Sequence, residues 1–361
     1  MISEWPIRPD APLPAPDPAL PEARAFLRPG AAPARLIDAT TDLFLPQAHR
    51  LSDRVRAFVT TMWNELAGGV ERDIRLAIAP HFADKEELVA SLSSATAEIA
   101  LPLLLDAGTL AHPPLVAILL RRAEEFVLSD RLSPGEQKNP LTQDSDQAVA
   151  AAATALLVAS ARRVDRFGAP ALLLDDLPAE LAHWLVWHVA AALHHYLRAH
   201  HALDDSYADA VLVPAARNVL AAHDEGCGLH ATAFRLAARL AANDRIDGPL
   251  LNTLLSGGNV PAFVAALASL TELPHEDVWH VVADPSDGRL AVLLRAAGTD
   301  RDAAAAILLL LTRDATAEID VFDSCGQAAA AAALASLSLE PQYRAAITEI
   351  DTALAAAEAR A

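Results

Sequence analysis

Apolar residues along this chain recur in short helical stripes separated by polar or glycine-containing breaks. Val55, Phe58, Val59, Met62 and Leu66 stand at i, i+3, i+4, i+7 and i+11, which places them on one face of a helix. Gly68-Gly69 predicts the end of that helix. Asp84 with Glu87 reads as a capping box that opens a short helix carrying Leu88, Val89 and Leu92. The run Ala95 to Ala107 reads as a helix kinked at Pro102. Leu115, Ile118, Leu119, Arg122 and Phe126 continue the pattern. Further on, an alanine-rich helix is predicted from Asp146 to Phe167, stopped by Gly168. Leu177-Pro178 then leads into a long helix from Ala179 to His200.

The last third has clear punctuation. Phe234, Ala237, Ala238 and Ala241 make one helix face. Gly257-Gly258-Asn259 reads as a stop and a new cap before Phe263, Leu267 and Leu270. Val278, Val281 and Val282 lie on a helix opened near His275. Leu290, Leu293, Leu294 and Ala297 follow Asp287, with Gly298 as stop and Asp300 as the next cap. Helices over Gly326–Leu337 and Pro341–Arg360 close the chain.

One helix–break–helix unit recurs. Leu103 to Thr109 precedes the run Leu115 to Leu120, and Leu293 to Thr299 precedes Ala303 to Leu311. A looser copy runs from Leu236 through Asn243 and Asp244 to Leu250 and Leu255. Repeated helix pairs stack into arrays whose working part is a surface. Ten prolines between Pro6 and Pro46 set residues 1–46 apart as an extended leader. Pro9-Asp10-Ala11-Pro12 within it fits PxxP, and Phe26, Leu27, Leu36, Ile37, Leu43 and Phe44 suggest that its later half docks on the body. A helical subdomain follows over 47–132. The polar stretch 133–147, with Pro134-Gly135 and Asn139-Pro140, predicts a linker, and 148–361 forms the second helical subdomain.

Composition agrees with an all-α class: hydrophobic residues, much of them alanine and leucine, make up 53% of 361 residues and aromatics only 5%. A net charge of −19 without a lysine/arginine run argues against nucleic acid and acidic membranes as partners and admits a basic protein. Arg121-Arg122 and Arg162-Arg163 read as helix-end pairs that complement the helix dipole. No apolar stretch has the roughly 20 residues of a membrane span. Cys227 and Cys325 have no CxxC spacing, so reduced thiols and a cytoplasmic location are expected.

Six histidines, His183, His188, His194, His195, His200 and His201, fall on one predicted helix beside Trp184 and Trp187. His188 and His195, seven apart, share a face. They are the candidates for interaction or for accepting a phosphoryl group, although only Arg198 stands near as a basic companion. The HExxH spacing of single-helix zinc sites is absent. So are GxSxG, GxxxxGK[ST] and GxGxxG. Asp175-Asp176 and Asp204-Asp205 sit beside breaks, as capping residues do. No catalytic residue, metal ligand or cofactor site is assigned from the sequence.

The wording at Leu177-Pro178-Ala179-Glu180-Leu181, and from Leu254-Leu255-Ser256-Gly257-Gly258 to Leu293-Leu294-Arg295-Ala296-Ala297-Gly298, resembles an uncharacterised, mainly α-proteobacterial family of domains of unknown function. The resemblance spans Leu51 to Thr312. It implies HEAT-like helices and a bacterial cytoplasmic protein, and it lends no site residues. The expected fold is an all-α, HEAT-like right-handed helical array (α-α superhelix) in two packed halves behind the proline-rich leader. The expected function is a non-enzymatic protein-interaction or regulatory scaffold. Histidine phosphotransfer from the His183–His201 helix, or metal binding, are the alternatives.

Overall fold

A computed structural model describes residues 51–94, 98–109, 112–134, 139–285 and 288–337, with a few positions between 342 and 354. The leader 1–46 lies outside the described residues, as does much of the closing helix expected over Pro341–Arg360. Among the described residues the only β-type feature is an isolated bridge between Val164 and Pro170. The described residues otherwise form α-helices, short 3-10 turns and loops. The helices are α1 (Asp53–Ile78), α2 (Glu86–Ser93), α3 (Ala100–Asp106), α4 (Pro113–Leu132), α5 (Gln147–Ala161), α6 (Ala179–His201), α7 (Asp205–Ala222) and α8 (Leu229–Ala241). They continue with α9 (Gly248–Ser256), α10 (Val260–Thr271), α11 (His275–Ala283), α12 (Arg289–Ala296), α13 (Arg301–Leu311), α14 (Ala315–Ser324) and α15 (Gln327–Leu337). The chain divides into two compact units between Asp284 and Pro285. Helices on both sides of the polar stretch 133–147 belong to the first of them.

In that unit α1 packs against α3, α4, α6 and α7, and α10 packs against α8, α9 and α11. Val59, Met62, Leu66, Val70, Ile74 and Ile78 of α1 join Leu115, Leu119, Leu185, Val189, Leu193 and Leu212 in one apolar core. α10 is buried nearly all round, from Val260 to Ala268. In the second unit α12 packs against α13, α14 and α15. There the Glu318 carboxylate accepts from the Gly288 backbone N–H at 3.0 Å, just ahead of α12.

Two buried side chains on α1 explain how short neighbouring helices begin and end. Glu71 accepts backbone N–H bonds from Ile99 (3.1 Å) and Ala100 (2.8 Å), satisfying donors that the first turn of α3 leaves without intrahelical partners. Arg75 pairs with Glu71 at 2.8 Å and donates to the Leu92, Ser91 and Ser94 carbonyls at the end of α2. Pro102 falls in the first turn of α3, where a missing N–H costs nothing, so no kinked longer helix forms there.

Other sequence expectations are corrected by packing. α1 runs through Gly68-Gly69, because Val70, Ile74 and Ile78 carry its apolar stripe onward into the core. Lys85, not Asp84, precedes α2, and no side chain caps that helix. α5 ends at Ala161; Gly168 instead takes a positive φ inside a loop. The buried face of α8 is Leu229, Thr232, Ala233, Leu236, Ala237 and Leu240, leaving Phe234 52% exposed. α7 and α14 formed no part of the expectation.

The recurrent break has one geometry. After α3, α8, α9 and α12, the left-handed position is filled by Gly108, Asp244, Gly258 and Gly298. Its N–H bonds the carbonyl three residues back (Leu105, Ala241, Leu255, Arg295), and the next N–H reaches five back (Leu104, Leu240, Leu254, Leu294), all at 2.9 to 3.2 Å. This is the Schellman cap, which closes the last turn and turns the chain into the next helix.

A Cβ built on Gly68 or on Gly108 would meet no atom within 4 Å, so replacing either isolates the backbone term. Gly68→Ala, at a helical position, is expected to raise stability by about 0.5–1 kcal/mol. Gly108→Ala, at φ +66°, is expected to lower it by about 1 kcal/mol. Urea midpoints of the two variants therefore move in opposite directions.

Candidate functional site

The histidine-rich helix exists as α6, but its histidines do not converge. His183 and His195 are exposed. His188 bonds the Trp184 carbonyl of its own helix through Nδ1 at 2.7 Å and lies against the Trp184 ring, 4.2 Å between centroids. Trp184 also stacks against His112, with 4.3 Å between centroids. His194 faces Asp209 at 3.4 Å, while His200 and His201 lie against Tyr196.

Ligand-type side chains do converge elsewhere. Glu125 on α4, His230 in the first turn of α8 and His275 at the first position of α11 place one ligand atom each within 4.8 Å of the others. Glu125 is completely buried. His230 Nε2 lies 2.8 Å from Glu125 Oε1, and Arg121 Nη2 donates to His230 Nδ1 at 3.1 Å. An arginine donor at Nδ1 fixes the tautomer: the ring proton sits on Nε2 and points at Glu125. Arg121 also holds Glu276 Oε2 at 2.6 Å. Burial opposes the charge on Glu125, but His230, Arg121 and Arg122 outweigh it and hold the carboxyl down at about 2. Burial drives His275 down to about 3, so its imidazole is neutral. Two buried atoms of this cluster, Glu125 Oε2 and His275 Nε2, have no hydrogen-bond partner. Arg121 and Arg122 thus lie within α4 rather than at a helix end.

A second polar centre is reached from α4 through Arg122. Arg163 is 1% exposed. Its Nε donates to both oxygens of Asp176, at 2.7 and 2.9 Å, and its Nη groups donate to the carbonyls of Ala159 (2.9 Å) and Cys227 (3.1 Å). Arg122 donates to the Arg163 carbonyl at 3.1 Å. Asp176 also accepts from the Leu173 and Leu229 N–H groups, each at 2.9 Å. The end of α5, the stretch 171–176 and the start of α8 are joined through one guanidinium. Gly228 completes the junction, because a Cβ there would stand 2.7 Å from the Asp175 carbonyl. Asp204 caps α7 as expected of an acidic residue at a break, whereas Asp176 is a buried ion-pair partner.

From this junction the chain presents Phe167. Residues 163–171 form a closed loop: Asp165 N–H bonds the Ala169 carbonyl at 2.8 Å, Ala171 N–H bonds the Arg163 carbonyl at 2.9 Å, and the Asp165 carboxylate accepts from Phe167 and Ala169 N–H groups, each at 2.8 Å. At its tip Phe167 is 78% exposed, with the Arg166 guanidinium over its ring at 4.6 Å. Leu157, Val158 and Val164 nearby in the chain are exposed as well.

Neither centre was legible in the sequence. Glu125 and His230 are 105 positions apart, at no recognised spacing, and Arg163 looked like half of a helix-end pair. The one usable signal is the arginine with no interrupting acid at the end of a long alanine run.

Residues 140–346, more than half of the chain, match the profile of a family described as an uncharacterised protein conserved in bacteria (DUF2336). The match begins and ends later than the span Leu51–Thr312 on which the resemblance rested. His230, His275, Arg163 and Asp176 fall inside it; Arg121 and Glu125 precede it. No curated protein and no solved structure matches the chain. Among the described residues no helix is long and apolar enough to cross a membrane.

Breaking a buried ion pair by removing one partner costs about 3–5 kcal/mol, because the other charge stays buried. Arg163→Met and Asp176→Leu should each destabilise the protein on that scale, while the double variant recovers much of the loss. A double-mutant cycle in urea checks this.

Proposed function

The chain belongs to this uncharacterised bacterial family, and on that premise we propose that it is a non-enzymatic protein-interaction module, a regulatory scaffold of the bacterial cytoplasm. One observation carries the reading: a 78%-exposed phenylalanine stands on a loop whose backbone is tied down and rooted in a buried arginine. An exposed aromatic ring has its burial free energy still to gain, and a preorganised aromatic anchor is what a protein interface uses as its energetic centre. Holding the loop rigid in advance removes an ordering cost from binding. The exposed Arg162 and Arg166, which precede Phe167 in the chain, suit a partner pocket with an acidic rim. We also read the helix pairs that share the Schellman break as copies of a HEAT-like unit of a right-handed array. The common capping geometry of those pairs supports that reading.

The test is a photo-cross-linking side chain placed at position 167, run beside the variant Phe167→Asp in native lysate. Because residue 167 is exposed, Phe167→Asp should change stability by no more than about 0.5 kcal/mol. A specific protein cross-linked from position 167, and retained at least tenfold less by the variant, is the expected result. Equal retention by both proteins, or recovery of a small molecule alone, would overturn the proposal.

A further inference from the structure

We infer that Glu125, His230 and His275 form a binding site for one divalent transition ion of the zinc class. Three helices, α4, α8 and α11, bring one carboxylate and two imidazoles together with their ligand atoms within 4.8 Å of one another. Glu125 is fully buried, and its Oε2 has no partner; His275 Nε2 is likewise buried and unpartnered. A buried polar atom left unsatisfied costs about 1–3 kcal/mol, and native structures rarely leave two in one cluster. A cation accepts lone pairs from both at once. The donor set selects the ion: two imidazoles with one carboxylate suit zinc or ferrous iron, whereas magnesium and calcium take oxygen. Ligands around a tetrahedral ion with bonds of about 2.1 Å lie about 3.4 Å apart. The widest pair must therefore close by at most roughly 1.4 Å, and His275, the first residue of its helix, is placed to supply that movement.

Arg121 opposes the ion. It donates to His230 Nδ1, so the ring proton now sits on Nε2. Ligation through Nε2 moves that proton to Nδ1, where it would face the guanidinium donor. The ion enters only as Arg121 lets go, which makes Arg121 a competitor built into the site.

The experiment uses the full chain, stripped with a chelator and titrated with Zn²⁺ by calorimetry, with metal content read after dialysis. One equivalent is expected in the wild type. His275→Gln and His230→Gln should each weaken binding at least about tenfold, and Arg121→Gln should tighten it about tenfold. Co²⁺ bound to the wild type should shift the ring protons of His230 and His275 in NMR spectra, a readout that needs no folded variant. The inference fails if the wild type and Arg121→Gln both bind no stoichiometric ion. It fails equally if His275→Gln binds with unchanged affinity, or if Co²⁺ shifts only histidines of the His183–His201 helix.

Discussion

The contact between Arg163 and Asp176 is the constraint on which the middle of this molecule depends. Six hydrogen bonds converge there from backbone and side-chain groups at the end of α5, in the 171–176 stretch, and in the turn before α8 and its first residue. A guanidinium has donors in a rigid plane, so satisfying them fixes direction as well as distance. The alanine-rich faces around it could not do this alone. Small side chains let helices approach closely but differ little from one register to the next. A buried pair loses its compensation as soon as either helix slips, and thereby favours one arrangement over its neighbours. Glu71 with Arg75, and Glu318 at Gly288, repeat the device elsewhere, each tying a helix end to a side chain from another helix.

The same device marks the limit of what the sequence revealed. Helix class, the long helix after Pro178 and the breaks at Gly258 and Gly298 were legible, because periodicity and left-handed glycines act over a few residues. Asp244 takes the same conformation as those glycines, and its break was recognised as a looser copy of the unit. Helix ends set from a distance were misjudged. Gly68-Gly69 reads as a stop locally, yet α1 continues because its next three turns have a core to enter. Pro102 reads as a kink, yet Glu71 starts the helix just ahead of it. α7 escaped notice because Pro214 reads as a helix breaker, yet it stands on the exposed side of a helix that runs on through it.

The histidines teach the same lesson in chemistry. Six on one helix drew attention, and their own helix and the neighbouring rings and carboxylates engage most of them. The two that meet a buried carboxylate stand alone in the sequence, one at the start of each of two helices. Density along a chain measures composition, whereas a site needs convergence in space, and convergence here is made by helix packing.

Arg122 links the two polar centres, since it lies beside Glu125 on α4 and donates to the Arg163 carbonyl at 3.1 Å. A chain of contacts from the histidines to Phe167 therefore exists. Contiguity is not coupling, which requires an element with two arrangements that both sites bias. Every donor of Arg163 that holds the loop has its acceptor, and the loop closes on itself through Asp165. An element satisfied in this way has one arrangement. A cation bound among Glu125, His230 and His275 would then release Arg121 from His230 and leave Phe167 where it stands. Ion and protein partner would bind as independent events, each with the affinity it has in the absence of the other.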